Sequence, residues 1–474
     1  MEAEMIQPCA CKGKKFYSEA ILKAASIARQ INLKLDEEQN ATDLLDAGQN
    51  DCNGVVKTCP LIPTFSVILG VVQKEESDTY SYHGEFNDGG KMHGYGYIRY
   101  FPIQDVYIGE FVDGKRSGHG VYIYDLSKAI YTGEFRNGMF HGYGVMEYSN
   151  LDMYIGEWKN NKRHGYGEIK FAGNMGMYQG SWEFDMRCGY GIKWYPGGSM
   201  YRGQWKRSLK HGYGEYFFSE RSYFKGEWRN DLKHGQGEQL YEDGSSFKGH
   251  FVDDLRHGYG EILYTNGCYY KGNFCDGTKE GEGEEKTERD LYKGTFSENQ
   301  RNGKGELTYA LSDAKYVGSF ENGQLHGQGV YRFPGGREMY GGTMVNGRRN
   351  GYGIYHYENG DVYKGNFEAN HRHGQGKHTF IDGSYYEGEW FMGREKGDGT
   401  YVSDKYSYTG QWLDGKMHGH GTQTMLKRGV PTKTYCGQFV KGYRHGVGIL
   451  TTFTKNGTET TCKGKWVGNK YIAK

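Results

Sequence analysis

The sequence predicts an all-β repeat array, a single-layer antiparallel sheet of β-hairpins forming an elongated trough, with a short N-terminal helix and a capping strand before it. Three observations carry the prediction. An aromatic-x-Gly-x-aromatic string starts seventeen times between Tyr82 and a degenerate last copy at Cys462, mostly 22 to 25 residues apart. An x-Gly-x-Gly string follows in sixteen copies, and its first position is His in ten of them, as at His164 and His211. Gly numbers 77 and Tyr 43 in 474 residues, while Ala, Leu and Pro are scarce, so no large aliphatic core is available. A fixed period of this length is the mark of a quasi-linear array, and it overrides the several-domain prior set by chain length.

One copy shows how a hairpin arises. Side chains alternate along a strand, so Tyr154, Gly156 and Trp158 point to one face. Lys159 to Arg163 are expected to form the turn. Gly165, Gly167, Ile169 and Phe171 then return along the same face, while Tyr166, Glu168 and Lys170 face the other way. Asn-Gly and Asp-Gly pairs such as Asn359-Gly360 and Asp382-Gly383 lead into the next copy. A ring needs room to lie over a neighbouring strand, and a residue without Cβ provides it. Two strands per copy advance about 9–10 Å, which makes the expected trough about 160 Å long.

The first part of the chain differs in kind, so the expected division is a leader over residues 1–79 and an array of about seventeen repeats over 80–474. Ser18 is placed to cap a helix running to Leu35, with Glu19 in its first turn. Ile21, Ala24, Ala28, Ile31 and Leu35 fall on one face of it. At that length such a helix needs something to dock on. Residues 36–51 are polar. Thr64 to Val72 reads as a strand that covers the first hairpin, as the open end of a repeat array requires.

Charge excludes some function classes. The chain carries 59 basic and 58 acidic side chains. A nucleic-acid binder shows a basic excess, and an anionic-membrane binder shows clustered Lys and Arg. Nine cysteines at irregular spacing argue against a disulfide framework. The longest apolar run, Phe65 to Val72, is too short to span a bilayer, and no signal peptide is evident. The expected setting is the cytoplasm, without membrane binding.

The Tyr154 to Gly167 string, repeated in phase over about four-fifths of the chain, resembles the MORN repeat, whose pattern is close to Tyr-x-Gly-x-Trp, a turn, and His-Gly-x-Gly. The resemblance implies antiparallel hairpins with a groove along one face. Departures at Arg116-Ser117-Gly118, Arg187-Cys188-Gly189, Lys279-Glu280-Gly281 and Glu395-Lys396-Gly397 replace the His, and Met344 replaces the second aromatic. These hairpins are expected to be weaker. A long array with a short leader is similar to radial spoke head proteins. The insertion from Met425 to Thr434, ahead of Tyr435-Cys436-Gly437 and His445-Gly446, resembles the radial spoke head 10 type.

Candidate chemistry weighs against catalysis. Successive His residues lie about 9–10 Å apart, too far for one zinc ion with ligands near 2.1 Å. Their expected role is a ring-nitrogen bond to the turn backbone. His371 with His373 and His418 with His420 lack carboxylate or thiolate partners at fitting positions. Cys9, Cys11, Cys52 and Cys59 have spacings poor for a zinc knuckle. The Gly-x-Gly runs neither open a helix nor follow a buried parallel strand, so they are not phosphate cradles. No enzyme, cofactor or metal is expected. A second tyrosine series, Tyr95, Tyr143, Tyr166, Tyr190, Tyr213, Tyr259 and Tyr352, sits between glycines and faces away from the ring-over-glycine layer. Such a row either shields the sheet from water or forms a partner-binding groove for an extended peptide or helix. The groove is favoured, because a one-layer sheet leaves that face uncovered.

The expectation is a non-enzymatic scaffold holding other structural proteins of a large assembly. The resemblance implies radial spoke subunits in the axoneme of a motile cilium or flagellum. The alternatives are a peripheral membrane adaptor binding phosphoinositides, which would need a basic stripe, and a regulatory subunit of a cytoskeletal enzyme complex.

Overall fold

The computed structural model describes residues 73–454 and 459–473, almost wholly β-strand with one 3-10 turn at Ala172–Asn174. The expected leader helix from Ser18 to Leu35, the strand from Thr64 to Val72 and the four leader cysteines lie outside the described residues. The first described strand, Gln73–Glu76, pairs antiparallel with Tyr80–Phe86, Gln73 opposite Gly84.

The chain divides into two units. The first runs to Gly244 and includes Phe251–Asp254; the second comprises Ser245–His250 and everything from Leu255 onward. Within each, consecutive strands pair antiparallel, as Met153–Lys159 does with Lys162–Lys170 in the first unit and Val362–Glu368 with His371–Thr379 in the second. Among the described elements the substantial contacts of each strand are with its ladder neighbours, so the sheet is one layer thick.

Glycine makes this layer possible. Gly156 pairs with Gly167, and the Tyr154 ring lies across both. A Cβ added to Gly156 would come 2.5 Å from Gly167 Cα and 2.6 Å from the Tyr154 hydroxyl; one added to Gly167 would come 2.5 Å from Tyr154 Cζ. The phenol then donates to the Glu157 carbonyl at 3.0 Å, three residues on. The same cap recurs from Tyr82 to Tyr435, with Phe224 and Phe247 replacing the phenol twice. These rings are almost fully buried.

Two features tighten the expected hairpin. The turn is two residues, not five: Lys159 pairs with Lys162, and Asn160 and Asn161 take φ of 50° and 64°, as in a type I′ turn. Farther in, Gly156 pairs with Gly167 but Trp158 pairs with Arg163, so Glu157 alone opposes residues 164–166. Gly165 sits in this bulge at φ +59°, where a Cβ would collide with the Glu157 side chain. Gly165 therefore does not simply line the ring face, as strict alternation would have it.

Gly156→Val should lift the Tyr154 ring from its bed and cost about 1–3 kcal/mol through overpacking. The check is a lower melting temperature together with hydrogen-exchange protection lost first around Tyr154 and Gly167.

Candidate functional site

The ring face is a zipper. Trp158 stands edge-on to Tyr131 at 5.4 Å and to Tyr154 at 5.1 Å, and Tyr154 meets Trp182 at 5.5 Å. In the second unit Tyr363, Trp390, Tyr386 and Trp412 continue the alternation. Edge-to-face contact at this spacing is favourable beyond area burial. Six of the Trp residues also donate the indole N–H to a glycine carbonyl of the preceding hairpin, as Trp158 does to Gly144 at 3.3 Å and Trp390 to Gly376 at 3.0 Å, whereas the buried Trp466 indole nitrogen has no partner among the described residues.

Over the zipper lies a row of cations that the sequence reading missed. Arg163 sits 4.3 Å from the Trp182 ring, Lys210 4.0 Å from Trp228 and Arg372 4.0 Å from Trp390. These are the residues immediately before the recurrent His. In Asn160-Asn161-Lys162-Arg163 they read as part of a solvated turn. Their backbone is stapled by the next hairpin's turn: the Lys210 N–H donates to Asp231 Oδ1 at 2.8 Å, and the Arg349 N–H to Asn370 Oδ1 at 2.8 Å.

The cation also chooses a partner six residues on, on the same face. Arg116 lies over Tyr122 at 4.6 Å and Arg349 over Tyr355 at 4.4 Å, whereas Lys233 reaches Gln239 at 2.7 Å and Lys279 reaches Glu285 at 2.6 Å. Arg301 joins the last pair by bonding Glu285 at 2.9 Å and Asp290 at 2.7 Å. Two positions stand out. Lys193 follows Arg187, so two cations share one stretch of core; burial and then Arg187 lower the Lys193 pKa. His378 follows Arg372 and stacks on Phe380 at 4.5 Å. Arg372 donates to His378 Nδ1 at 2.5 Å, and His378 Nε2–H donates to Asp361 Oδ2 at 3.3 Å, a pattern that needs a neutral ring. Burial first, and then Arg372, hold the His378 pKa below its usual value.

The opposite face varies along the chain. Near its centre the acidic residue between Gly and the second aromatic folds back to satisfy the bulge: Glu157 accepts the Tyr166 backbone N–H at 3.1 Å and Glu134 that of Tyr143 at 2.9 Å. In the first unit Tyr166, Tyr190 and Tyr213 stand exposed on three successive hairpins, while Tyr95 and Tyr143 are half-buried and separated by the hairpin of His119. In the second unit Tyr259 and Tyr352 are exposed, but Glu282, Lys304 and Gln328 hold the intervening positions. There the face carries ion pairs, Lys271 with Glu261 at 3.2 Å, Lys293 with Glu284 at 2.9 Å and Lys315 with Glu306 at 2.8 Å. They flank an open groove of about 880 Å³ floored by glycines from Gly283 to Gly342. The structure thus brings three of the seven expected tyrosines into one uninterrupted exposed row.

The recurrent His does not bond the turn backbone as expected. Among the described residues the Nδ1 atoms of His141, His164 and His211 are shielded from solvent and make no hydrogen bond. The ring instead packs beside the neighbouring turn, His164 at 5.6 Å from Phe184 and His373 at 5.2 Å from Phe391. His326 and His373 turn Nδ1 toward Glu321 and Glu368 at 3.2 and 3.1 Å. In one place a thiol joins such a pair: the donor atoms of His257, Cys275 and Asp276 lie within 4.8 Å of one another. That donor set suits zinc in kind, but Cys275 and Asp276 are exposed and the His–carboxylate approach recurs without a thiol elsewhere, as at His234 and Asp253.

The model of the MORN repeat family matches fourteen segments between residues 107 and 454, among them 154–175, 178–200 and 363–385. The chain belongs to the MORN-repeat family. No curated protein matches it. Three hairpins that carry no MORN match, those begun by Tyr82, Tyr270 and Cys462, form nonetheless. The MORN copies without His also keep their register, Gly189 opposite Trp205 and Gly397 opposite Trp412, because the ring-over-glycine contact is intact in each. No catalytic family is indicated, and no helix among the described residues is long and apolar enough to cross a membrane.

Replacing the second cation of the crowded pair, Lys193→Ile, should stabilise the first unit by about 1 kcal/mol, seen as a higher melting temperature. His378 gives a pH signature. Because its pKa is depressed on folding, its contribution is complete above the ordinary value of 6.5 and is lost as pH falls through the depressed value. Protection factors of amides in the Val362–Glu368 and His371–Thr379 strands, taken relative to the intrinsic exchange rate at each pH, should fall over that window, and His378→Phe should remove the step.

Proposed function

We propose that this chain is a non-enzymatic scaffold of the radial spoke head in a motile-cilium axoneme, binding a segment of a partner protein across Tyr166, Tyr190 and Tyr213. The observation that carries the binding reading is their exposure in three successive hairpins of a sheet with no second layer among the described residues there. Tyrosine offers large amphipathic contact area at low entropic cost, and successive rings about 9–10 Å apart match about three residues of an extended peptide or two turns of a helix. A protein partner is favoured over an anionic lipid because several cations of the face carry acidic partners, Lys170 with Glu168 and Arg202 with Glu215 beside the row and Lys271 with Glu261 farther along, and the chain's formal net charge is +1. The spoke assignment rests on the similarity of the array and of the Met425 to Thr434 insertion. That insertion lengthens one hairpin, Lys416–Lys427 paired with Val430–Val440.

Tagged protein expressed in ciliated cells should co-fractionate with radial spokes extracted from purified axonemes. Its absence from that fraction removes the spoke assignment. The triple variant Tyr166→Ser, Tyr190→Ser, Tyr213→Ser should keep its β-sheet circular dichroism and lose the association by tenfold or more, as expected for about 1.4 kcal/mol of lost binding energy or greater. Undiminished association of the triple variant rules out this row as the contact.

A further inference from the structure

The face opposite the zipper is not equally open along its length. Val106, Ile108, Val121, Ile123 and Ile130 form one apolar cluster there, with Tyr97 packed against it. Pairing places them on that face, since their neighbours Tyr107, Tyr122 and Tyr131 belong to the ring face. In a one-layer sheet such side chains should be open to water, and their counterparts farther along, Ile192, Val330 and Ile354 among them, are half-buried or exposed. Val317, at the position of Ile108, is 39% exposed; Ile449, at that of Val121, is 39% exposed; Leu263, at that of Ile123, is 54% exposed. Ile108, Val121 and Ile123 are 6%, 2% and 1% exposed. Among the described elements, the substantial contacts of the strands that carry these residues are with their ladder neighbours. Burial this complete needs a second layer.

We propose that the layer is the chain's own leader, with the amphipathic segment from Ser18 to Leu35 lying as a helix across the strands from Met92–Tyr100 to Met153–Lys159. Three observations select this occupant. The 72 residues ahead of Gln73 enter the sheet at the edge beside the cluster, because Gln73–Glu76 pairs with Tyr80–Phe86 and that strand with Met92–Tyr100. The dimensions agree: the six strands carrying Tyr97, Ile108, Val121, Thr132, Val145 and Ile155 span about 24 Å, and an eighteen-residue helix is about 27 Å long. The chemistry agrees as well. Ile21, Ala24, Ala28, Ile31 and Leu35 share one helical face, and the small Ala24 and Ala28 at its middle let a helix settle close onto a flat sheet. The cover ends short of Tyr190 and Tyr213, so it shapes the N-terminal boundary of the open face whatever binds there.

Hydroxyl-radical footprinting of the full-length monomer tests the proposal. Ile108, Val121 and Val145 should label several-fold more slowly than Val317 and Ile449, at every protein concentration. In the variant Ile21→Asp, Ile31→Asp, Leu35→Asp they should rise to the rate of Val317, with the β-sheet circular dichroism unchanged. A photo-cross-linking residue at Val121 should join the peptide spanning 18–35 of the same chain. Labelling of the cluster as fast as Val317 in the unaltered protein overturns the proposal. So does protection that survives the triple variant, or a cross-link between two chains, which would make a second copy the cover.

Discussion

Everything in this fold depends on how closely a phenol ring can lie on a backbone that has no side chain beneath it. Gly156 and Gly167 face each other across a strand pair, and Tyr154 occupies the space that two Cβ atoms would need. From that contact follow the burial of the ring, the edge-on packing of Trp158 and Trp182 against it, and the docking of Arg163 over the indole. The ring face needs no aliphatic core: each hairpin borrows one ring from itself and one from its successor.

That economy separates the two faces. On the ring face most positions are tied to a partner, so variation is confined to the cation row and the residue six places on, where stacking on Tyr122 is exchanged for a bond to Gln239 or Glu285. On the other face a recurrent duty among the described residues is that of Glu157 and its equivalents, which satisfy the bulge. The rest is at liberty to differ. Apolar Val121 and Ile123, aromatic Tyr190 and Tyr213, and the Lys293–Glu284 pair occupy similar places in different stretches. A scaffold with locally distinct surfaces on a uniform frame is the natural product of that freedom.

The frame was readable from residues alone because its signals sit at fixed offsets. Tyr154, Gly156, Trp158 and Gly167 announce strand, close approach and packing together. What escaped notice did so for identifiable reasons. Arg163 follows two asparagines and a lysine, so it resembles the tip of a solvated turn; only the two-residue geometry at Asn160 and Asn161 brings it onto the indoles. The recurrent His looked like a hydrogen-bonding residue, yet its flat ring serves as filling beside Phe184 or Phe391. The seven tyrosines formed one row on paper because alternation ignores what stands between them; Glu282, Lys304 and Gln328 break the row in the second unit.

Met344 is the one ring-face position where the second aromatic of a copy is missing. Tyr316 still meets Phe320, and Tyr340 still meets Phe367, but no ring joins Tyr316 to Tyr340's hairpin; the buried thioether of Met344 fills the gap. A chain of interlocked teeth transmits load as well as its least engaged pair allows. Under tension along the second unit, the array would part between those hairpins first, giving an otherwise even ribbon a built-in point of yield.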